Sequence, residues 1–91
     1  MTVEDFRSRI DAIDAEIMKL LMDRVAVARE IGKVKSEIGV DVHDADREEW
    51  ILARVKELGS GQLPPDSTEA IYREIISMCK NVQSVNDERP A

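Results

Sequence analysis

Arg24 is a permanent cation in an otherwise apolar stripe. The stripe recurs at steps of three and four residues, at Phe6, Ile10, Ile13, Ile17, Leu20, Val27, Ile31, Val34 and Ile38. An arginine does not lose its proton in a protein, and burying it unpaired costs several kcal/mol. Three explanations are open: Arg24 pairs with a carboxylate of its own chain, it lies at the end of the seam and reaches water, or it faces a cavity that an anion enters.

Lys35 favours the cavity. It follows Arg24 by eleven residues, or about three helical turns, so both side chains leave the same side of the helix. Ala28, Ile31 and Gly32, which are small or medium in size, lie between them on that side. Two long cationic side chains whose Cα atoms are about 16 Å apart can converge on one small dianion.

Glu48 is a similar anomaly of opposite sign in the next helical segment. It heads a face that continues through Leu52, Val55 and Gly59, instead of lying on the polar side. Two roles are open for this carboxylate. It pairs with Arg24 or Lys35, or it accepts a hydrogen bond from a ligand hydroxyl.

Gln83 ends a line of side chains on the third helical segment. The line runs through Tyr72, Ile76 and Cys79, and an apolar residue at position 83 would serve packing alone. Gln83 is therefore either an exposed polar end of the helix or a ligand contact.

Arg7 is a further candidate cation, but it cannot reach Arg24 within one chain. The two are seventeen residues apart, about 25 Å along one helix and on different sides of it. In an antiparallel dimer the start of one long helix lies beside the middle of the other. Arg7 would then enter the partner's site.

The first helix that must position these residues is unusually long. From about Val3 to about Glu37 there is no proline, and Gly32 is the only glycine. A helix of this length extends roughly 50 Å, whereas globular helices average about 11 or 12 residues. A chain of 91 residues cannot cover such a rod, so the sequence predicts a homodimer.

Two shorter helices complete the predicted fold. Residues 38–43 break the first helix, Asp44 or Asp46 serves as the next N-cap, and the second helix stops after about Leu58 at residues 59–61. Prolines exclude helix at residues 64–65, and Asp66 has capping-box spacing to Glu69.

The third helix carries an apolar stripe at Ile71, Ile75, Met78, Val82 and Val85. Residues 86–91 are predicted to be a disordered tail. We therefore predict one all-α domain over residues 1–91, with three helices, one of them very long.

Composition excludes several classes of function. The net charge of −6 and pI of about 4.7 argue against binding to nucleic acid or an acidic membrane surface. One cysteine, Cys79, and one histidine, His43, form no metal-ligand pattern, and His43 is predicted to be a loop residue. Trp50 points away from the apolar stripe of its helix. With no secretory signal and no apolar run of about 20 residues, we expect a cytoplasmic protein.

The combined motifs resemble the all-helical class of chorismate mutase. They are FRSRIDAIDAEI, LLMDRVAVAREIGKVK, DADREE and IYREIISMCKNVQ, and the resemblance covers roughly residues 3–83. The most specific elements are R-x16-R-x10-K, D-x-x-R-E and a late glutamine. The resemblance implies an intertwined homodimer with two identical sites, in which Arg7 is donated to the partner's site.

The resemblance also implies a role for each site residue. Arg24 binds a substrate carboxylate, and Lys35 binds a carboxylate and the ether oxygen. Asp44 and Glu48 hold the ring hydroxyl. Gln83 donates a hydrogen bond to the ether oxygen.

Two further positions match residues near the family's site. Arg47 supports its acidic neighbours. Cys79 stands where a serine is common, and its thiol is a weaker donor toward the ring carboxylate.

The implied reaction is the rearrangement of chorismate to prephenate in phenylalanine and tyrosine biosynthesis. It is intramolecular, so no cofactor or metal is expected. Two alternatives remain open. One is an isochorismate–pyruvate lyase on the same scaffold, and the other is a non-catalytic coiled-coil interaction module.

Overall fold

The chain folds into three α-helices in a computed structural model, which describes the backbone of residues 1–88 and the side chains of residues 1–84. Helix α1 spans Val3–Ile38, α2 spans Ala45–Leu58 and α3 spans Pro65–Glu88, with no strand in this part of the chain. The predicted all-α class is confirmed. The tail was predicted to be disordered from residue 86, but the backbone of residues 86–88 continues α3; residues 89–91 lie outside the described part of the chain, where disorder stays a prediction.

Both ends of α1 are fixed by local interactions. The Asp5 backbone N–H donates to the Thr2 hydroxyl over 3.1 Å, and the Asp5 carboxylate accepts from the Thr2 backbone N–H over 2.8 Å. This capping box holds the pKa of Asp5 below its ordinary value, chiefly through the backbone hydrogen bond. At the other end Gly39 adopts φ 74°, and its N–H donates to the Lys35 carbonyl. The 36-residue helix therefore has a defined start and stop.

Helix α2 begins at the first of its two candidate caps. The Asp44 carboxylate accepts a hydrogen bond from the Arg47 backbone N–H over 3.0 Å, so Asp44 is the N-cap and Asp46 lies in the first turn. The helix ends before Gly59, as predicted, and the Gly59 N–H donates to the Val55 carbonyl over 3.0 Å.

The predicted start of α3 was wrong. The helix begins at Pro65, where proline was expected to exclude it, and Asp66 lies in the first turn rather than at the N-cap. A proline at the first helical position lacks an N–H that would have no partner there, and its φ already suits the helix. The Thr68 N–H and hydroxyl both donate to the Pro64 carbonyl, at 3.1 and 3.2 Å.

Helix α3 packs against both other helices. Ala28 and Gly32 are buried on α1, and Ile76 and Cys79 are buried on α3. Small side chains on α1 let the two helix backbones approach closely. On α2 the buried residue is Leu52.

An ion-pair network also joins α2 to α3. The Lys56 ammonium lies 2.8 Å from the Glu69 carboxylate, which accepts a second hydrogen bond from Arg73 over 3.1 Å. These contacts lower the pKa of Glu69, with the Lys56 hydrogen bond as the largest cause. The network links α2 to α3 through Lys56 and Glu69.

The apolar stripe of α1 stays exposed in the single chain. Its members keep between 43% (Ile31) and 66% (Ile38) of their surface, and Ile71 on α3 keeps 59%. The buried face of α3 is instead the line through Ile76 and Cys79. The radius of gyration is 16.5 Å, against about 12 Å for a compact domain of this length. The chain is thus extended, and its own residues leave about half of the surface of the α1 stripe exposed.

None of the helices in the described residues is both long and apolar enough to cross a membrane. Although α1 would be long enough, charged residues interrupt it throughout.

Candidate functional site

A cleft of about 420 Å³ lies between the three helices and the loop that joins α1 to α2. Its lining residues are Arg24, Val27, Ala28, Ile31, Lys35, Val42, Asp44, Arg47, Glu48, Ile51, Ile76, Cys79, Lys80 and Gln83. Residues that are up to 59 positions apart in the chain therefore meet around one space.

Seven of the eight residues proposed from the sequence line this cleft. The eighth, Arg7, does not. It lies in the second turn of α1, where its guanidinium contacts Glu4 at 2.8 Å and both side chains are largely exposed. A single chain was expected to leave Arg7 away from the site.

Arg24 is half-buried at the cleft wall. Within the described side chains it forms no hydrogen bond or ion pair, so none of their carboxylates neutralises it. This speaks against the first of the three explanations for the cation in the stripe. The arginine instead presents its guanidinium to an open space of ligand size.

Lys35 is held at the other end of the same helix face. Its ammonium donates a hydrogen bond to the Val42 carbonyl over 3.1 Å, and the side chain is half-buried. The left-handed Gly39 turns the chain back after α1 and so brings Val42 over this lysine. An ammonium has three hydrogens, so two remain for a ligand.

Glu48 has partners other than those considered from the sequence. Its Oε2 lies 3.1 Å from His43 Nδ1, and its Oε1 lies 3.6 Å from Lys80 Nζ. The pairing with Arg24 or Lys35 is not found among the described side chains. Although His43 is within ion-pair distance, the geometry is not that of a hydrogen bond, so Oε2 is a buried oxygen without a donor. A buried acceptor in this state favours a ligand that donates.

Gln83 is half-buried rather than an exposed helix end. Its amide nitrogen donates to the Cys79 carbonyl in a long hydrogen bond of 3.4 Å, and its Oε1 is buried without a partner. One amide hydrogen therefore remains for a ligand. Cys79 is only 4% exposed and lines the cleft together with Gln83.

Arg47 is held at the rim by an aromatic ring. Its guanidinium carbon lies 4.6 Å from the centre of the Trp50 ring, within the range of a cation–π contact. Trp50 itself is 56% exposed, which agrees with its predicted direction away from the helix stripe. The tryptophan thus fixes a cation at the edge of the cleft.

Lys80 is the lining residue that sequence reasoning missed. It precedes Gln83 by three residues, so the two share a helix face, and both line the cleft with Cys79. That spacing was the available signal. With Lys80, four cations and two carboxylates line the cleft, a formal charge of +2 in a chain of net charge −6.

The arrangement suits a small organic anion. Although the whole chain is negatively charged, the cations that line the cleft make its electrostatic potential positive. Among the described residues, no group of three His, Cys, Asp or Glu side chains is placed to hold a metal ion.

Comparison with known proteins defines the family. Residues 6–84 match the family model described as chorismate mutase type II, and the chain belongs to this family. The form II structure of chorismate mutase from Thermus thermophilus superimposes with a TM-score of 0.88 at 27% identity, covering 94% of this chain and 98% of that one. The resemblance seen in the sequence is confirmed, and neither alternative is favoured.

Two curated relatives of the chain are also described as chorismate mutases. The chain is 36% identical over 85 residues to a bifunctional chorismate mutase/prephenate dehydratase of Aquifex aeolicus, with 89% of this chain and 24% of the relative covered. It is 33% identical over 54 residues to a chorismate mutase of Methanocaldococcus jannaschii, with 59% of this chain and 54% of the relative covered. The chain thus spans about a quarter of the length of the bifunctional relative and about half of the other.

Proposed function

We propose that the chain is an isomerase that converts chorismate to prephenate, in the biosynthesis of phenylalanine and tyrosine. One observation carries the proposal. The seven residues that the sequence singled out in α1, α2 and α3 meet around one cleft, and Arg24 faces it without a partner among the described side chains. A guanidinium that no described carboxylate neutralises favours the binding of an anion in the cleft.

Chorismate is a dianion, and the cleft offers cations at both ends of one helix face. Arg24 binds one carboxylate, and a guanidinium does so through two parallel hydrogen bonds. Lys35 binds the other carboxylate with a hydrogen that Val42 leaves free. The two contacts hold the substrate in the compact conformation that brings its reacting carbons together.

The reaction breaks a C–O bond and forms a C–C bond within one molecule. Negative charge develops on the ether oxygen as the C–O bond breaks. Lys35 and Gln83 donate hydrogen bonds to that oxygen and stabilise the charge. The rearrangement needs no nucleophile and no proton transfer, so positioned donors are sufficient.

The remaining lining residues bind the periphery of the substrate. Glu48 and Asp44 hold the ring hydroxyl, and the buried Glu48 Oε2 is the acceptor that lacks a donor. Arg47 supports these two carboxylates from the rim. Cys79 lies near the ring carboxylate, where its thiol is a weak donor.

We infer further that the protein is an intertwined homodimer in which Arg7 completes the partner's site. The exposed stripe of α1 supports this, because its nine large apolar side chains keep between 43% and 66% of their surface exposed in the single chain. Arg7 lies outside the cleft of its own chain, as the antiparallel arrangement requires. The cytoplasmic location stays a prediction.

The test is the loss of the chorismate ultraviolet absorbance on addition of purified protein, with prephenate identified by acid conversion to phenylpyruvate. We expect enzymatic turnover that Lys35→Ala abolishes. Lys33→Ala is the matched control, because Lys33 is an exposed lysine of the same helix, paired with Glu30 at 3.2 Å. Turnover of isochorismate with release of pyruvate, or no turnover of either compound, would contradict the proposal.

A further inference from the structure

Lys80 is a cation of the cleft to which the mechanism above gives no role. Its side chain is 34% exposed, and it lines the cleft between Cys79 and Gln83 on α3. Its ammonium crosses from α3 to two groups of the α2 side, Glu48 Oε1 at 3.6 Å and His43 Nδ1 at 3.3 Å. It is therefore the link between α3 and the carboxylate that the proposed mechanism assigns to the ring hydroxyl.

A glutamate side chain has three rotatable bonds, and only some of its rotamers direct an oxygen into the cleft. In the structure the two oxygens of Glu48 differ. Oε1 faces Lys80, whereas Oε2 is buried and has no hydrogen-bond donor. The cation thus occupies one oxygen and leaves the other for a ligand.

His43 does not replace Lys80 in this role. Its Nδ1 lies 3.1 Å from Oε2, but the imidazole is 59% exposed and forms no hydrogen bond to that oxygen. A ligand hydroxyl can take the place of an exposed ring, whereas Lys80 is half-buried on α3, which packs against α2.

We propose that Lys80 is a positioning residue, whose ammonium holds Glu48 Oε1 so that Glu48 Oε2 accepts the hydrogen bond of the substrate's ring hydroxyl. The proposal rests on the function proposed above. In this proposal Lys80 acts on the reaction by orienting Glu48, and Glu48 contacts only the ring hydroxyl of the substrate. A cation that binds a substrate carboxylate directly would not depend on Glu48 or on that hydroxyl.

The first test is a double-mutant cycle on kcat/KM. Lys80→Met removes the ammonium at nearly constant volume, and we expect a loss of roughly 10- to 100-fold, since small misplacements of a positioning group cost this much. Lys80→Arg, which keeps a cation, restores most of the activity. In the Glu48→Gln background, Lys80→Met costs no more than about twofold, because its partner is already neutral.

The second test uses a chorismate analogue with hydrogen in place of the ring hydroxyl. Wild type and Lys80→Met are expected to turn over this analogue at equal kcat/KM, since the group that Lys80 acts on is missing. Lys33→Met, which makes the same charge change outside the cleft, leaves kcat/KM for both compounds at the wild-type value. Circular dichroism and size-exclusion chromatography verify that each variant folds. If Lys80→Met does not fold, Lys80→Gln replaces it in the same comparisons.

Two results would overturn the proposal while the proposed function stands. One is a full loss from Lys80→Met in the Glu48→Gln background. The other is an equal loss on chorismate and on the analogue, which would make Lys80 a carboxylate ligand or a general source of positive charge. A wild-type protein that does not turn over chorismate would instead overturn the proposed function, and with it the role of Lys80, before any variant is needed.

Discussion

Arg24 and Lys35 lie eleven residues apart on α1 and line the same cleft, yet of the two only Lys35 has a hydrogen-bond partner in the described part of the chain. Lys35 is fixed by the Val42 carbonyl at 3.1 Å, whereas the half-buried Arg24 lines the cleft without a hydrogen bond or ion pair to the described side chains. Lys35 is therefore already positioned by the chain, whereas Arg24 is available to bind an anion. Substitutions at these two positions should therefore affect the stability of the fold and the activity of the cleft independently.

Replacement of Arg24 by leucine should remove activity without harming the fold. The guanidinium has no partner within the described part of the chain, so its loss leaves no carboxylate unpaired. We expect kcat/KM for chorismate to fall by roughly 100-fold or more, the value of a lost charge-assisted contact in the transition state. The free energy of unfolding by urea should stay the same or rise.

Arg54→Leu is the control for Arg24, because Arg54 is an exposed arginine with a weak contact to Glu57 at 3.9 Å. It should leave turnover unchanged. Unfolding of Arg24→Leu under conditions where wild type is folded would mean that Arg24 serves the structure.

Mixed dimers test whether each site contains residues of both chains. If Arg7 enters the partner's cleft, Arg7→Ala and Lys35→Ala subunits are each inactive alone. A heterodimer of the two has one intact site, and random exchange makes half of the dimers mixed, so activity should recover to about a quarter of the wild-type value.

Arg24→Leu mixed with Lys35→Ala provides the control, because both residues belong to the same chain's cleft. Every site then keeps one defect, and no activity should return. Recovery in this control, or none in the Arg7 mixture, would contradict the donation of Arg7 across the dimer.

A charge in the apolar stripe should break the dimer. Ile17 keeps 48% of its surface in the single chain, so a monomer would tolerate Ile17→Lys. If a second chain covers the stripe, the buried ammonium costs several kcal/mol and the subunits separate. Sedimentation at micromolar concentration measures the change. Met22→Lys is the matched substitution outside the stripe, at a residue 61% exposed, and should leave the assembly intact.

The rate should change little with pH around neutrality. The Gln83 amide has no proton that titrates in this range, and the rearrangement transfers none. We expect kcat to vary less than about twofold between about pH 6 and pH 8. Gln83→Leu should lower kcat at every pH without adding a slope. A steep fall of the wild-type rate over this range would mean that a protonated group takes part in the reaction.

The Glu69 network should stabilise the fold at neutral pH and lose its effect in acid. Hydrogen bonds from Lys56 and then Arg73 hold the pKa of Glu69 below its ordinary value of 4.5. A lowered pKa in the folded state means that the contribution is complete above the ordinary value and disappears as the pH falls through the folded one. The stability gap between wild type and Glu69→Gln should therefore be present at about pH 7 and close at about pH 3.

Urea unfolding at fixed protein concentration measures this gap. Glu74→Gln makes the same charge change on α3 at an exposed position and should show a smaller gap at neutral pH. A gap for Glu69→Gln that persists in acid would point to packing rather than to the ion pairs.

The helices could be predicted because their signals are local. The three-four period of α1, the Asp44 cap and the glycine stop after α2 all depend on neighbours within about one turn. The start of α3 was missed for a related reason. Proline was treated as a helix breaker, although at the first helical position its missing N–H has no partner to lose.

Part of the site could be predicted in the same way. Arg24 and Lys35 share one helix, so their common direction follows from helix geometry alone. Glu48 and Gln83 stood out as polar residues on apolar faces. The partners of Glu48 were beyond reach, because His43 comes from a loop and Lys80 from a helix 32 positions further along the chain.

The sequence by itself determined three helices, an apolar stripe too long for one chain to cover, and a row of cations and polar groups that packing alone does not need. Each of these follows from the periodicity of side chains along a single helix. Only the tertiary structure decided that Arg24 has no partner among the described side chains, that Lys80 joins the cleft, and that α3 buries the line of Ile76 and Cys79. The physical reason is that contacts between helices depend on how the helices cross, and the spacing of residues along one helix does not fix that crossing.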